Sequence, residues 1–134
     1  MILTHLTKYR DTGLLLLRVG LGVMFILHGW PKISGGPEVW TKVGGAMRSF
    51  NVDLFPAVWG FMAAFAEFGG GILLVLGLLF RPACILLTVT MLVAWRMHAL
   101  NGDPFVKWSH AAESAIVFFS LLFIGPGRYS VDKQ

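Results

Sequence analysis

Four apolar stretches divide the chain, and polar or turn-forming residues separate them. They cover residues 12–30, 54–80, 83–100 and 108–124. The first, third and fourth are close to the roughly 20 residues that an α-helix needs to cross the hydrocarbon core of a bilayer, and the second is long enough to cross it with tilt. The pattern therefore predicts an all-α fold, an integral membrane four-helix bundle that occupies residues 1–134 as a single transmembrane domain.

The breaks between these stretches predict how the helices are joined. Pro31 stops or kinks the first stretch, and Arg81-Pro82 connects the second and third as a tight antiparallel hairpin. A turn over residues 101–104 precedes the fourth. Within residues 38–50, apolar side chains recur at helical spacing, which predicts a short amphipathic interfacial helix between helices 1 and 2.

Composition agrees with a bilayer environment. The chain is 56% apolar and only 13% charged, whereas soluble domains carry about 25% charged residues. The net charge is +4, but the basic residues lie near the ends of the apolar stretches, as topology determinants do. No basic stripe with interleaved aromatic residues occurs, which excludes nucleic-acid binding. Cys84, the single cysteine, lies in an apolar stretch and is expected to be inert packing.

The N-terminus resembles a cleavable signal peptide only in part. Lys8 and Arg10 precede an apolar stretch, but Arg18 interrupts it and no small-x-small cleavage site follows, so the segment is expected to be retained. Four spans place both termini on the same side of the membrane. Lys8 and Arg10, which precede the first span, favour the cytoplasmic side for these termini. We therefore expect a multi-pass protein of a bacterial-type cytoplasmic (inner) membrane.

Two ionisable residues lie deep in the predicted spans. A charge at the bilayer centre costs roughly 2.5–3.5 kcal/mol even on the lenient insertion scale, so such groups face the protein interior or pair. Glu67 lies roughly 18 Å from either end of the second apolar stretch, and the backbone of Arg18 lies about 9 Å from the cytoplasmic end of the first apolar stretch. We predict an Arg18–Glu67 intramembrane ion pair; a purely structural role for it is equally open.

A second group of polar residues gathers near the opposite membrane surface. Imidazole can both hydrogen-bond a ligand and relay protons near neutral pH. The candidates for ligand binding or proton relay are His28, His98, His110, Glu113 and Lys32. Trp30, Trp95 and Trp108 lie at the same level, either as a rim to a pocket or simply as the interfacial aromatic belt.

Other chemistries find less support in the sequence. Imidazole and carboxylate groups suit several metals, but paired spacings such as H-x-x-x-H or E-x-x-H do not occur, so we predict no metal site. A nucleophile elbow and a glycine-rich phosphate loop are also absent, which disfavours a hydrolase.

Several motifs follow one another along the chain. Residues 17–32 combine an early Arg18 with His28-Gly29-Trp30-Pro31-Lys32, and residues 67–81 contain Glu67-Phe68-Gly69-Gly70-Gly71 and end at Arg81. His98 with Asn101-Gly102, then Glu113, then the closing segment 125–132 complete the series. In this order the motifs resemble those of the DoxX family. The stretch before Glu113 departs from the glycine-rich sequence of many members, so a role for His110 would be particular to this protein or a subgroup.

The resemblance implies a four-helix membrane protein with a redox association. Members of this family are linked to thiosulfate:quinone oxidoreductase and to membrane redox complexes. It thus implies a quinone- or thiol/sulfur-linked subunit of an oxidoreductase, with quinone as the cofactor to test. The sequence offers no ligands for a redox centre of its own, so electrons would come from a partner or from the substrate.

Two other functions stay open at this point. The chain could be a non-catalytic membrane scaffold whose connector helix docks a partner subunit. A small transporter is the third alternative, and it would need an oligomer because four spans are few. In each case the expected partners are the lipid bilayer and either another protein or further copies of the chain.

Overall fold

The computed structural model describes residues 1–133 and is all-helical over that range, as the sequence predicts. It contains four long helices; short loops join the last three, whereas residues 35–55, which include a short helix, separate the first two. The elements are a 3₁₀ turn (Thr4–Tyr9), α1 (Arg10–Ser34), α2 (Pro37–Gly44), a second 3₁₀ turn (Gly45–Phe50), α3 (Pro56–Leu76), α4 (Phe80–Leu100) and α5 (Phe105–Ile124).

Three of these helices are long and apolar enough to cross a membrane: Thr4–Ser34, which includes the first 3₁₀ turn, Pro56–Leu76 and Phe80–Leu100. Their outward faces carry large exposed apolar side chains, such as Leu16, Met62 and Val89. Such continuous apolar surface suits contact with lipid rather than water. The fourth long helix, α5, packs along α4.

Two helix ends differ by four residues from the predicted positions. Pro31 lies inside α1, which continues to Ser34. The extra turn is held by the Trp40 indole, which donates to the carbonyl of Lys32 at 3.0 Å. At the other end of the molecule α3 stops at Leu76, because Gly77 adopts the left-handed conformation, with φ of 66°. This glycine cap lets α4 begin at Phe80 instead of extending α3.

Helices α1 and α3 meet backbone to backbone. A Cβ atom placed on Gly22 would lie 2.6 Å from the carbonyl oxygen of Gly71, and one on Gly29 would lie 2.5 Å from the amide nitrogen of Phe68. Small residues permit this close approach of membrane helices. The same contact buries the polar face of α3 that contains Glu67.

The short helix α2 packs against α3. A Cβ on Gly60 would collide with the carbonyl of Trp40, and the Trp40 ring meets the Phe61 ring edge-on at 4.9 Å between centroids. Its location between the first two long helices matches the prediction. The sequence indicated that α2 is held by the membrane surface; in the structure α2 is also held by its packing against α3.

The two ends of the packed helices differ in character. At one end, the C-terminal tail lies against the start of α1, where the amide of Arg128 donates to Asp11 Oδ1 at 3.1 Å. Across the middle, the Phe25 ring of α1 meets Phe118 of α5 at 5.0 Å, within a core that also buries Cys84. The other end collects the C-terminal ends of α1 and α4 and the N-terminal ends of α3 and α5.

Candidate functional site

Arg18 is buried at the tail end of the molecule, and its guanidinium group donates to four backbone carbonyls. Nε and Nη2 each lie 3.1 Å from the oxygens of Leu74 and Val75, respectively. Nη1 donates to Pro126 at 2.9 Å and to Tyr129 at 2.8 Å. Arg18 thus ties the last turn of α3 to the segment that follows α5.

The Arg18–Glu67 pair expected from the sequence is not formed. The last carbonyls of a helix lack partners within the helix and attract a cation. The Arg18 guanidinium meets this need at Leu74 and Val75, about two turns beyond Glu67 on α3. The prediction was wrong because matching depth along two helices says nothing about which way a long side chain extends.

Glu67 pairs with Lys32 instead. Lys32 Nζ lies 3.0 Å from Oε1 and 2.9 Å from Oε2, so one ammonium group bridges both carboxylate oxygens. The Glu67 side chain is 7% exposed and that of Lys32 is 36% exposed. The last turn of α1 therefore supplies the counter-charge for a carboxylate buried in the middle of α3.

This ion pair forms part of a cavity of about 150 Å³ at the end of the molecule opposite the termini. All four long helices contribute to its wall, which combines polar and apolar side chains. The lining consists of Phe25, His28, Lys32, Glu67, Met91, Ala94, His98, Lys107, His110 and Ala111. The cavity thus gathers three of the histidines that the sequence singled out, together with Lys32.

Two of these histidines face each other across the α1–α5 contact. The ring centroids of His28 and His110 are 5.4 Å apart, and the Phe25 ring lies 6.0 Å from the first and 6.4 Å from the second. Both histidines are exposed at the end of the packed helices. Their ring nitrogens can therefore reach a ligand that enters the cavity.

The third histidine is held by an acidic residue. His98 Nδ1 lies 2.7 Å from Oδ2 of Asp103, in the connection between α4 and α5, and both side chains are partly buried. A carboxylate on one ring nitrogen orients an imidazole and leaves Nε2 available to a ligand. Asp103 is therefore a candidate positioning residue for His98.

Glu113 does not join the cluster in which the sequence placed it. It is exposed on the outward face of α5, whereas Ala111, Ala115 and Phe118 set the inward face. Residues two positions from Ala111 and Ala115 point to nearly the opposite side of an α-helix. The expectation relied on the three-residue spacing from His110, and His110 itself lies at the edge of the inward face.

The three tryptophans are not part of the cavity lining. Trp95 stacks on Trp108 at 6.2 Å between ring centroids, and Trp30 lies 5.7 Å from Phe68. Their place near the ends of α1, α4 and α5 is the one that an interfacial aromatic belt occupies.

The sequence alone did not identify Lys107 or Asp103 as parts of this site. The spacing of Lys107 and His110, three residues apart on α5, is a signal that could have revealed Lys107. Asp103 lay in a segment interpreted only as a turn. In residues 1–133, no three His, Cys, Asp or Glu side chains are grouped closely enough to hold a metal ion.

Comparison with known proteins gives the family. The DoxX family model matches residues 13–100. The chain belongs to the DoxX family. The match covers most of α1 and all of α2 to α4, and it ends before α5. Family membership and the three apolar helices together show that this DoxX protein is a multi-pass membrane protein that resides in a lipid bilayer.

The relatives extend over most of the chain. An uncharacterized protein of Haemophilus influenzae is 34% identical over 139 residues, covering 98% of this chain and 97% of the relative. The inner membrane protein YqjF of Escherichia coli is 30% identical, with 94% of each chain covered. CatD of Bacillus subtilis, whose name assigns it provisionally as an oxidoreductase, is 30% identical over 66% of this chain and 61% of its own. No solved structure matches the chain significantly.

Proposed function

We propose that this DoxX protein is a four-span protein of the bacterial cytoplasmic membrane, with α5 as the fourth span and both termini in the cytoplasm. The tail lies against the start of α1, so an even number of crossings fits the contact between Arg128 and Asp11. Lys8 and Arg10 favour the cytoplasm for that end. The cavity then opens toward the periplasmic surface. The name of the Escherichia coli relative supports the inner membrane.

We further propose that the cavity binds the head group of a quinone and that the protein serves a membrane redox system. A quinone presents a flat apolar ring with a carbonyl oxygen on either side, and small-molecule sites combine apolar walls with a few placed polar groups. The single observation that carries the proposal is the cavity of about 150 Å³, in which Phe25 and Met91 adjoin three histidines and the Lys32–Glu67 pair.

The side chains of the cavity have the hydrogen-bond donors that such a ligand needs. His28 and His110 can each donate to a carbonyl oxygen, and Lys32 and Lys107 carry further N–H groups. A quinone bound here would take up two protons with two electrons at its carbonyl oxygens on reduction to the quinol. The histidines can hand over protons there because imidazole gains and loses a proton near neutral pH.

The residues that line the cavity include no cysteine, so the proposal assigns the electrons to a source outside this lining. A partner protein, or a thiol or sulfur substrate as the family resemblance implies, would supply them. The provisional oxidoreductase name of the Bacillus subtilis relative agrees with this assignment.

Titration of the purified protein with a short-chain quinone in mild detergent tests the proposal. We expect saturable binding to the wild type and about tenfold weaker binding to His28→Ala and His110→Ala, because each loses one hydrogen bond to the ligand. His5→Ala is the matched control, since His5 is exposed in the first 3₁₀ turn, outside the cavity. Absence of saturable binding, or equal binding by all variants, would refute the proposal and favour a scaffold role.

A further inference from the structure

Glu113 stands out among the outward-facing residues of α5. It lies eight residues from the start of the helix, or about 12 Å along it, and its side chain is exposed. Within residues 1–133 it takes part in no ion pair or side-chain hydrogen bond. A carboxyl group at this depth is costly in lipid, and such residues in membrane helices typically face protein or a water-filled cavity.

Glu113 belongs to a regular row of residues on the side of α5 that faces away from the core. The row advances by three and four residues in turn, the spacing by which one helix packs along another in a coiled coil. It consists of Val106, Ser109, Glu113, Ile116, Ser120 and Phe123, all exposed except the half-buried Ser109. We call these six residues the α5 seam.

The composition of the α5 seam differs from that of the other outward faces. Three of its six residues are polar, and Glu113 and Ser120 lie seven residues apart, almost on one line. The outward faces of α1 and α4 instead present apolar residues such as Leu16 and Val89 at comparable depth. Serine is among the residues whose side chains form hydrogen bonds between membrane helices, and carboxyl groups in membrane helices pair with other polar groups.

We infer that the α5 seam is the interface with a second copy of this chain. All copies share one topology in the membrane, so a two-fold axis between them must run along the membrane normal. The two α5 helices then lie parallel, and each seam residue meets its own copy at the same depth. The interface must therefore be self-complementary.

The α5 seam meets that condition. A serine hydroxyl donates and accepts, and a protonated carboxyl group donates to an ionised one, so each group can pair with itself. The seam contains no lysine or arginine that would require an acidic partner. A single polar position in such a row also fixes the register of the two helices, which Glu113 would do here.

This inference rests on the proposed placement of α5 in the membrane and not on the quinone site. Disulfide cross-linking in native membranes tests it, and Cys84 does not interfere because it is fully buried. We expect Ile116→Cys and Ser120→Cys to form dimers on mild oxidation. Leu16→Cys and Val89→Cys, equally exposed on α1 and α4, should remain monomeric. Equal cross-linking at all four positions, or none at the seam, would overturn the inference.

Substitution of Glu113 gives a second measurement. We expect Glu113→Leu to weaken dimerisation in detergent by about tenfold or more, whereas Glu113→Gln keeps it, because an amide can also donate to and accept from its copy. A Glu113→Leu protein that dimerises like the wild type would contradict the inference. Labelling of Ser120→Cys by a membrane-impermeant maleimide would overturn it by removing α5 from the bilayer, whatever the quinone titration shows.

Discussion

Lys32 and Glu67 form a bridging ion pair in which one ammonium group contacts both carboxylate oxygens, at 2.9 and 3.0 Å. The pair joins the last turn of α1 to the middle of α3 and forms part of the cavity wall. Since Glu67 is buried, Lys32 supplies the polar partner that its carboxyl group needs there. The same two side chains therefore contribute to the packing of α1 against α3 and to the wall of the proposed quinone site.

Removing Lys32 alone should destabilise the protein. We expect Lys32→Met to lower the free energy of unfolding by about 2 kcal/mol, since it leaves the Glu67 carboxyl group buried without its partner. The expected loss is smaller than for a fully buried ion pair because water partly screens the exposed Lys32. Adding Glu67→Leu to the same protein should restore most of that loss. Unfolding in mixed detergent micelles measures both variants.

Lys42→Met is the matched control for this pair, because Lys42 is exposed on α2. It should unfold like the wild type. A Lys32→Met variant as stable as the control would show that the ion pair contributes nothing to the fold.

Arginine should be required at position 18, and a positive charge alone should not suffice. Arg18→Lys keeps the charge but loses the planar fork that reaches four carbonyls on two segments. We expect a loss of about 3 kcal/mol, together with faster proteolysis of the C-terminal tail, measured by thermal unfolding and by limited digestion. Arg10→Lys, at a site with one long contact of 3.5 Å, should be neutral. Equal stability of the two variants would disprove the requirement.

Glycines on α1 should respond in opposite ways according to the face on which they lie. Gly22→Ala should cost about 2–3 kcal/mol, because its Cβ would press on the backbone of α3. Gly20→Ala meets nothing within 4 Å and should be neutral or stabilise by about 0.5–1 kcal/mol. The comparison needs only the melting temperatures of the two variants. The reverse order would mean that α1 and α3 pack through different faces.

Asp132 should matter to α4 despite its distance in sequence. Its carboxylate accepts from the amides of Leu79 at 3.0 Å and Phe80 at 2.8 Å, which caps the start of α4. We expect Asp132→Ala to cost about 1–2 kcal/mol, and the exposed neighbour variant Lys133→Ala to cost nothing. The hydrogen-exchange rate of the backbone amides in the first turn of α4 reports directly on whether the cap is formed. Unchanged exchange in Asp132→Ala would show that the cap is not formed.

The sequence predicted the four long helices well because each is a long, mostly apolar stretch bounded by turn-forming residues. Helical spacing also puts Gly60, Ala63, Ala64, Glu67 and Gly71 on one face of α3, and all of them are buried except the half-buried Ala63. Pro31 was misleading: a proline in the last turn removes one backbone hydrogen bond, and the Trp40 indole contributes another contact nearby. Such a compensation depends on a residue that approaches only after folding.

The polar contacts were harder to predict than the helices. Depth along a helix placed Arg18 and Glu67 at compatible heights, yet Arg18 binds carbonyls, which no sequence pattern displays. The rotation of α5 decides that His110 reaches the cavity while Glu113 faces outward. Sequence spacing gives the angle between two side chains, and only packing against α1 and α4 sets which of them points inward.

Photoaffinity labelling with an azido-quinone, followed by peptide mapping, tests whether a quinone binds in this cavity. We expect the label to be confined to the cavity wall, in peptides that contain Phe25–His28 of α1 and Lys107–Ala111 of α5. Excess quinone should prevent the labelling, and the double substitution His28→Ala with His110→Ala should greatly reduce it. Label spread over the lipid-facing residues of α1 and α4, unaffected by competitor and by both substitutions, would contradict a quinone site in this cavity.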